Sequence, residues 1–207
     1  MNHKINKLLV IGGTGRTGNK IIEKLLQKNY FVTSLTRQDP IKCKYYGENH
    51  TWAFYNIYSN HHQKKNLTEI LKGHSGIISA LGRRDDSHED LFYKSYKNLI
   101  PAMESSNVNR LVMITDAAKY LDKLPKDTEK AENFFKNEYK GKVNWTIVRP
   151  FRLMLEGELG TFRVQVECDS PKDNKLHTKS HTGDVAELCI QIYEKDLYKK
   201  QIICTGE

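Results

Sequence analysis

The sequence lacks any run of about 20 apolar residues, which excludes an α-helix that crosses a membrane. It also lacks an apolar signal segment with a small-residue cleavage site near Met1, so we expect a cytoplasmic protein. None of the four cysteines belongs to a C-x-x-C pair or has zinc-binding spacing from a histidine. We therefore expect reduced thiols and no metal site.

Repeats, low-complexity tracts and an obvious interdomain linker are missing as well. Residues 1–207 are therefore expected to form a single domain, which is a usual size for one domain. The pattern of the sequence becomes less regular after Pro150. We expect residues 151–207 to form a small C-terminal elaboration on the substrate side.

The chain carries 33 lysines and arginines against 25 aspartates and glutamates, a net charge of +8. The basic residues are spread along the chain beside acidic ones, as in Glu23-Lys24 and Lys195-Asp196. This distribution is typical of a solvated surface and argues against a nucleic-acid partner. We expect an attraction for small anionic molecules, a small-molecule acceptor as the partner and, from the short C-terminal part, a monomer.

Apolar runs typical of buried strands alternate with amphipathic helical patterns. The predicted strands span 6–12, 30–37, 51–57, 76–81, 110–115 and 145–148, and the predicted helices span 16–28, 63–72, 87–105 and 127–140. Further along we predict an edge strand over 161–167, a helix over 184–193 with Thr182 or Asp184 as N-cap, and a strand over 201–204. This order predicts a doubly wound α/β fold, with a mostly parallel sheet and helices on both faces.

A glycine-rich turn separates the first predicted strand from the first predicted helix. Its sequence is Gly12-Gly13-Thr14-Gly15-Arg16-Thr17-Gly18. Glycine lets a backbone approach a pyrophosphate closely, and the helix that follows directs its free N–H groups at the phosphates. The strand–turn–helix context predicts dinucleotide binding, whereas the alternative is a turn with a purely structural role.

Six segments of the chain together carry a resemblance to a known family. They are Gly12–Gly18, Ser79–Gly82, Tyr96–Ile100, Val108–Val112, Trp145–Pro150 and Asp184–Ala186. Their order and intervals resemble the atypical short-chain dehydrogenase/reductases, in the NAD(P)-binding or NmrA-like branch. Within that branch the chain is similar to the flavin reductase / biliverdin reductase B type, which implies a Rossmann-type fold over the whole chain.

The second strand ends in Thr36 and Arg37, where an acidic residue would favour NAD. A guanidinium at this position suits the 2′-phosphate of NADP, and Arg16 could bind the same phosphate from the other side. We therefore expect NADP(H) as the cofactor. The alternative is that both arginines face solvent.

The resemblance also implies further contacts with the cofactor. Asn56 stands near the position that meets the adenine amino group, and Ser79, Ala80, Leu81 and Gly82 pass beside the adenosine and pyrophosphate. The segment Arg149-Pro150-Phe151 follows the sixth strand, where relatives bind the nicotinamide carboxamide through backbone groups.

The catalytic residues depart from the family pattern. The helix after the fifth strand carries Lys130, but Lys126 stands where a Tyr-x-x-x-Lys motif needs tyrosine. Thr115 ends the fifth strand, where the family normally has a serine or threonine. Asp116 lies where the flavin-reductase relatives place a serine, and Phe151 lies where they place a histidine. We predict a catalytic role for these three residues. The alternatives are core packing for Phe151 and a helix or loop cap for Asp116.

The first functional hypothesis is an NADPH-dependent reductase that transfers hydride to a flavin or a similar conjugated acceptor, because the cofactors carry the reactive chemistry. The second hypothesis, favoured by the missing tyrosine, is a non-catalytic NADP(H) sensor that acts through a protein partner. A third is an epimerase of a nucleotide-linked substrate, for which the short C-terminal part leaves little room.

Overall fold

The computed structural model describes residues 6–44, 46–58, 66–82, 90–115, 125–151, 153–154, 157–166 and 179–206. The strands in this part of the chain are β1 Lys7–Ile11, β2 Phe31–Thr36, β3 His50–Phe54, β4 Gly76–Ser79, β5 Arg110–Ile114, β6 Asn144–Pro150, β7 Leu153–Met154, β8 Arg163–Val166, β9 Ser180–His181 and β10 Gln201–Gly206. The α-helices are α1 Arg16–Gln27, α2 Leu67–Leu71, α3 Leu91–Ser105, α4 Lys126–Asn133 and α5 Thr182–Glu194. None of these helices is long and apolar enough to span a bilayer.

Eight strands form one sheet in the order β3-β2-β1-β4-β5-β6-β10-β8. All neighbouring pairs are parallel except β10 and β8, which are antiparallel. The doubly wound α/β prediction is confirmed, and β8 is an edge strand as the alternating pattern predicted. Strands β7 and β9 form a separate two-stranded sheet beside it.

Alternate residues of the central strands face two different apolar layers. In β1, Leu9 and Ile11 belong to the layer under α2, α3 and α4, whereas Leu8 and Val10 belong to the layer under α1 and α5. Strands buried on both faces need apolar side chains at successive positions, which explains their unbroken apolar runs. The two layers cover both faces of the sheet, and the carboxyl ends of its parallel strands lie at one edge.

Two sequence predictions about the helices need correction. The predicted helix over 127–140 is α-helical only to Asn133 and continues as a π-helical turn over Phe134–Glu138. Neither Thr182 nor Asp184 caps α5, whose N-cap is His181. The carboxylate of Asp184 instead accepts hydrogen bonds from the backbone N–H groups of Leu159 and Gly160. It therefore fixes the loop that precedes β8.

The cysteines depart in part from the expectation of reduced thiols. Cys43 and Cys189 are free, and Cys189 is fully buried in the core. Cys204 in β10 is disulfide-bonded, so the expectation is wrong for this residue.

Two buried histidines make the stability of the fold depend on pH. Burial lowers the pKa of His50, whose Nε2 lies 3.0 Å from the hydroxyl oxygen of Ser34, to about 4. Burial and, to a smaller extent, the charge of Lys7 lower the pKa of His74 to about 4 as well. In the unfolded chain both rings bind a proton near pH 6.5. Acidification from about pH 6.5 towards 4 therefore favours the unfolded chain.

We expect the free energy of unfolding to fall between pH 7 and pH 5 by roughly 1 kcal/mol per pH unit for each histidine. Carboxylates with lowered pKa values, such as Glu23 and Glu187, contribute only at more acidic pH. Urea unfolding at several pH values measures the slope, and His74→Gln should reduce it by about half. A slope unchanged by this substitution would contradict the assignment.

Candidate functional site

The glycine-rich turn between β1 and α1 is packed so closely that side chains do not fit. Gly12 has a φ of +81°, and a Cβ atom there would lie 2.3 Å from the carbonyl oxygen of Ala80. A Cβ atom at Gly18 would lie 2.1 Å from the carbonyl oxygen of Gly12. The first glycine therefore allows the turn to pass the end of β4, and the last allows α1 to pack onto the turn.

Helix α1 begins at this turn, and no side chain caps its first N–H groups. Its N-cap is Gly15, and no acidic residue lies in the first turn. Arg16 is the first helical residue and is exposed. Free N–H groups, the positive end of the helix dipole and a guanidinium together favour an anion such as a phosphate.

A cleft of about 830 Å³ opens at the carboxyl edge of the sheet, above this helix terminus. It lies at the end of β1, which has β2 on one side and β4 on the other. The strand order changes direction at this position, which is the topological switch point of the sheet. The structure places many of the predicted cofactor-binding residues along its walls. These are Gly12, Thr14, Gly15, Arg16, Thr17, Thr36, Arg37, Ala80, Leu81, Gly82 and Thr115.

The end of β2 presents basic and neutral polar side chains to this cleft. Arg37 and Gln38 line it, and the hydroxyl of Thr36 accepts a hydrogen bond from the N–H of Gln38 at 3.0 Å. The acidic residue nearby, Asp39, accepts from the N–H of Ile41 and caps a short 3₁₀ turn over Pro40–Lys42. The carboxylate of Asp39 is therefore engaged in the loop.

Apolar residues that were not predicted from the sequence complete the walls of the cleft. They are Ile11, Leu35, Tyr55, Ile57, Ile114 and Leu153. Strand β3 ends at Phe54, three residues before the predicted end, so Tyr55 and Ile57 belong to a loop rather than to the strand. Most of these residues lie at or just after the carboxyl end of a strand in the parallel sheet. Ligands bind at these ends, so their position in the sequence could have marked them as cleft residues.

Other predicted residues lie next to the cleft without lining it. Gly13 and Gly18 lie inside the turn, and the hydroxyl of Ser79 is 3.1 Å from that of Tyr96. The side-chain oxygen of Asn56 accepts a hydrogen bond from the N–H of Tyr58. Asp116, a predicted catalytic residue, lies outside the described residues.

Pro150, at the end of β6, and Phe151, directly after it, also do not line the cleft. The N–H of Phe151 donates to the carbonyl oxygen of Thr205 and to the hydroxyl of Ser180, and its side chain is half-buried. Pro150 is buried as the last residue of the strand. These contacts fix the segment after β6 to β9 and β10, so its position is set by the C-terminal part of the chain.

A buried polar network lies beneath the end of the cleft where β5 stops. The hydroxyl of Thr115 donates to Oε1 of Glu132 in α4 at 2.9 Å. Oε2 of Glu132 lies 2.5 Å from Nη2 of Arg149 in β6. Arg149 is fully buried and Glu132 is 5% exposed. Thr115 lines the cleft although only 4% of the residue is exposed, whereas Arg149 does not line it.

The lysines of α4 lie on its opposite side. Lys130 is exposed and binds Asp90 at 2.6 Å, and Lys126 is exposed as well. The buried residues of α4 are Asp127, Thr128, Ala131 and Glu132. Asp127 accepts hydrogen bonds from the N–H groups of Phe92 and Tyr93, and so caps the start of α3. Neither acid was predicted from the sequence, because acidic residues in an amphipathic helix usually face water.

The fold and the cleft together define a nucleotide-binding α/β protein of the Rossmann type. The sequence from residue 12 to residue 196 matches the NAD(P)H-binding family, and the chain belongs to this family. The glycine turn, the uncapped start of α1 and the size of the cleft fit a nicotinamide dinucleotide. Once bound, such a cofactor supplies or accepts a hydride. The residues of the turn and of α1 would hold its pyrophosphate.

Solved structures of low sequence identity have the same fold. A Rossmann-fold NAD(P)-binding family protein from Shigella flexneri is 20% identical with a TM-score of 0.78, over 98% of this chain and 94% of that chain. A proposed NADH-flavin reductase from Streptococcus pneumoniae is 20% identical with a TM-score of 0.77, over 98% and 99%. A wide-type short-chain dehydrogenase/reductase from Veillonella parvula, in complex with NADP, is 15% identical with a TM-score of 0.71, over 98% and 94%. At these identities the likeness shows the fold alone.

Proposed function

We propose that the chain is an NADPH-dependent reductase that transfers hydride to a flavin or a similarly conjugated small molecule. The observation that carries the choice of NADPH is the pair of arginines in the lining of the cleft. Arg16 and Arg37 both line it, and both are exposed. The acidic residue nearby, Asp39, does not line the cleft and caps its own loop.

The choice of acceptor is supported by the far end of the cleft and by the family resemblance. Ile114, Thr115 and Leu153 line this end, so its walls are mainly apolar. A flavin accepts hydride with little acid–base assistance, because positioning of the two rings supplies much of the rate. The Streptococcus pneumoniae structure bears the name of a proposed NADH-flavin reductase, which agrees with the flavin acceptor but names NADH rather than NADPH.

The proposal predicts that Arg37→Asp weakens NADPH binding by at least tenfold, while NADH binding changes much less. A charge-assisted hydrogen bond contributes about 1.5–3 kcal/mol, and only NADPH offers the 2′-phosphate to receive it. Calorimetric titration of both cofactors measures the two dissociation constants. Lys42→Asp is the matched control, because Lys42 is exposed near the cleft without lining it.

Equal effects of Arg37→Asp on NADPH and NADH would refute the role given to Arg37. An equal loss of NADPH affinity in Lys42→Asp would mean that the general positive charge, rather than a contact, attracts the cofactor.

The reductase itself is tested by the oxidation of NADPH, followed by its absorbance, with FMN, riboflavin and a soluble quinone as acceptors. We expect turnover with at least one of these acceptors, and faster turnover with NADPH than with NADH at the same concentration. No turnover above the background rate with any acceptor would refute a reductase of this class.

The second candidate function is a non-catalytic NADP(H) sensor that acts through a protein partner. The observation that favours it is the position of Lys130, which binds Asp90 at the surface instead of facing the cleft. Tight NADPH binding without turnover, together with a partner captured only in the presence of NADPH, would favour the sensor over the reductase.

A further inference from the structure

Glu132 is a buried carboxylate with a donor on each of its two oxygens. Arg149 lies at one oxygen and the hydroxyl of Thr115 at the other. A carboxylate paired with a guanidinium is ionised and only accepts hydrogen bonds. The hydrogen of the Thr115 hydroxyl must therefore be directed at Glu132.

This arrangement determines what Thr115 can offer to the cleft that it lines. A threonine hydroxyl has one hydrogen and two lone pairs. Because the hydrogen is directed at Glu132, only lone pairs remain for a ligand. Thr115 therefore accepts hydrogen bonds from a ligand N–H or O–H group and donates none to a ligand oxygen.

Stability alone does not account for this network. Arg149 and Glu132 are almost completely removed from water, and the desolvation of two charges offsets most of their attraction. Apolar side chains of similar volume stabilise such a position at least as well. The pair is therefore better explained by what it does to Thr115 at the cleft.

We infer that Glu132, held by Arg149, is a positioning residue that makes Thr115 the acceptor for the carboxamide N–H₂ of the nicotinamide. The inference rests on the proposed function, because it requires a nicotinamide at this end of the cleft. Arg37 lies at the other end, beside β2, and β1 and β4 separate β2 from β5 in the sheet. The adenosine phosphate and the nicotinamide would thus bind at opposite ends.

The same geometry narrows the class of acceptor. Reduction of an isolated carbonyl group benefits from a donor that stabilises the developing oxyanion. Thr115 does not act as that donor while its hydrogen is directed at Glu132. A conjugated ring system, which spreads the incoming charge over several atoms, matches a cleft in which Thr115 only accepts.

The test compares the binding of NADP⁺ with that of its 3-acetylpyridine analogue, in which a methyl group replaces the carboxamide N–H₂. Calorimetry with the full chain gives both dissociation constants without requiring turnover. For the unsubstituted protein we expect NADP⁺ to bind roughly five- to tenfold more tightly, which corresponds to one hydrogen bond.

Thr115→Val should lower this ratio to about one, because valine has a similar shape and no lone pair, whereas Thr115→Ser should preserve it. Glu132→Gln should lower the ratio of the two dissociation constants or reverse the preference between the two ligands. The glutamine oxygen must face Arg149, so its N–H₂ group donates to Thr115 and turns the threonine hydrogen towards the cleft. A purely structural role of Glu132 would weaken both ligands equally and leave the ratio unchanged.

Thermal unfolding identifies variants that fail to fold. If Glu132→Gln is one of them, Thr115→Val decides the test, because it keeps the ion pair between Arg149 and Glu132. An unchanged ratio in folded Thr115→Val, or equal binding of both ligands by the unsubstituted protein, overturns the inference. A normal ratio in a protein that reduces no acceptor would refute the proposed reductase and leave the role of Glu132 intact.

Discussion

Replacement of Gly18 by alanine should abolish measurable binding of NADP⁺ and destabilise the protein by about 1–3 kcal/mol. The added Cβ atom would lie 2.1 Å from the carbonyl oxygen of Gly12 and 2.7 Å from its carbonyl carbon. These neighbours are backbone atoms, so the clash is relieved only if α1 moves away from the turn. That movement displaces the N–H groups that we expect to bind the pyrophosphate.

Helix propensity acts in the opposite direction, since alanine stabilises a helix interior by about 1 kcal/mol relative to glycine. Gly82→Ala is the control, because Gly82 lines the cleft but has no heavy atom within 4 Å of an added Cβ. We expect it to retain the stability of the protein, so it serves as a control for folding. If Gly18→Ala binds NADP⁺ normally, or is more stable than the unsubstituted protein, the close packing described for this turn is incorrect.

Replacement of Arg110 by alanine should cost about 3–5 kcal/mol of stability. Nη1 donates to the carbonyl oxygen of Asn144 and to the hydroxyl of Thr146, both at 2.9 Å. Nη2 donates to the carbonyl oxygens of Ile192 and Leu197 at 3.2 and 2.6 Å. The guanidinium thereby joins β5 and β6 to the end of α5, and its removal leaves several of these acceptors without a protein donor.

Thermal unfolding measures this effect, and a loss of this size corresponds to a fall of roughly 10 °C in Tm for a protein of about 200 residues. Arg110→Lys should give an intermediate loss, because a single ammonium group does not reproduce the fork of donors. Arg163 is exposed on the edge strand β8, so Arg163→Ala should change stability by less than about 0.5 kcal/mol. A comparable fall in both alanine variants would contradict the role of Arg110.

The parts of the fold that depend on local pattern could be predicted from the sequence. Strand β1, the glycine turn and α1 were predicted almost to the residue, because apolar runs and glycine spacing are local properties. The position of β10 between β6 and β8 depends on contacts between distant segments, and no local pattern contains that information.

The candidate site was predictable where its residues follow a strand and less predictable where they are charged and buried. Arg16, Arg37 and Thr115 line the cleft as their positions suggested. Glu132 and Asp127 were not selected, since acidic residues in an amphipathic helix usually face water. Their burial depends on hydrogen-bond donors from distant parts of the chain, namely the end of β5, β6 and α3. A local sequence pattern does not show which donors these are.

The strand order has a consequence for synthesis on the ribosome. Both neighbours of β10 in the sheet, β6 and β8, leave the exit tunnel before it, and the chain must first pass through β9 and α5. At about 5–20 residues per second, the nascent chain spends several seconds with an exposed edge on β6 and no mate for β8. Unpaired edges recruit other chains. Translation speed and chaperone supply should therefore influence the yield of soluble protein.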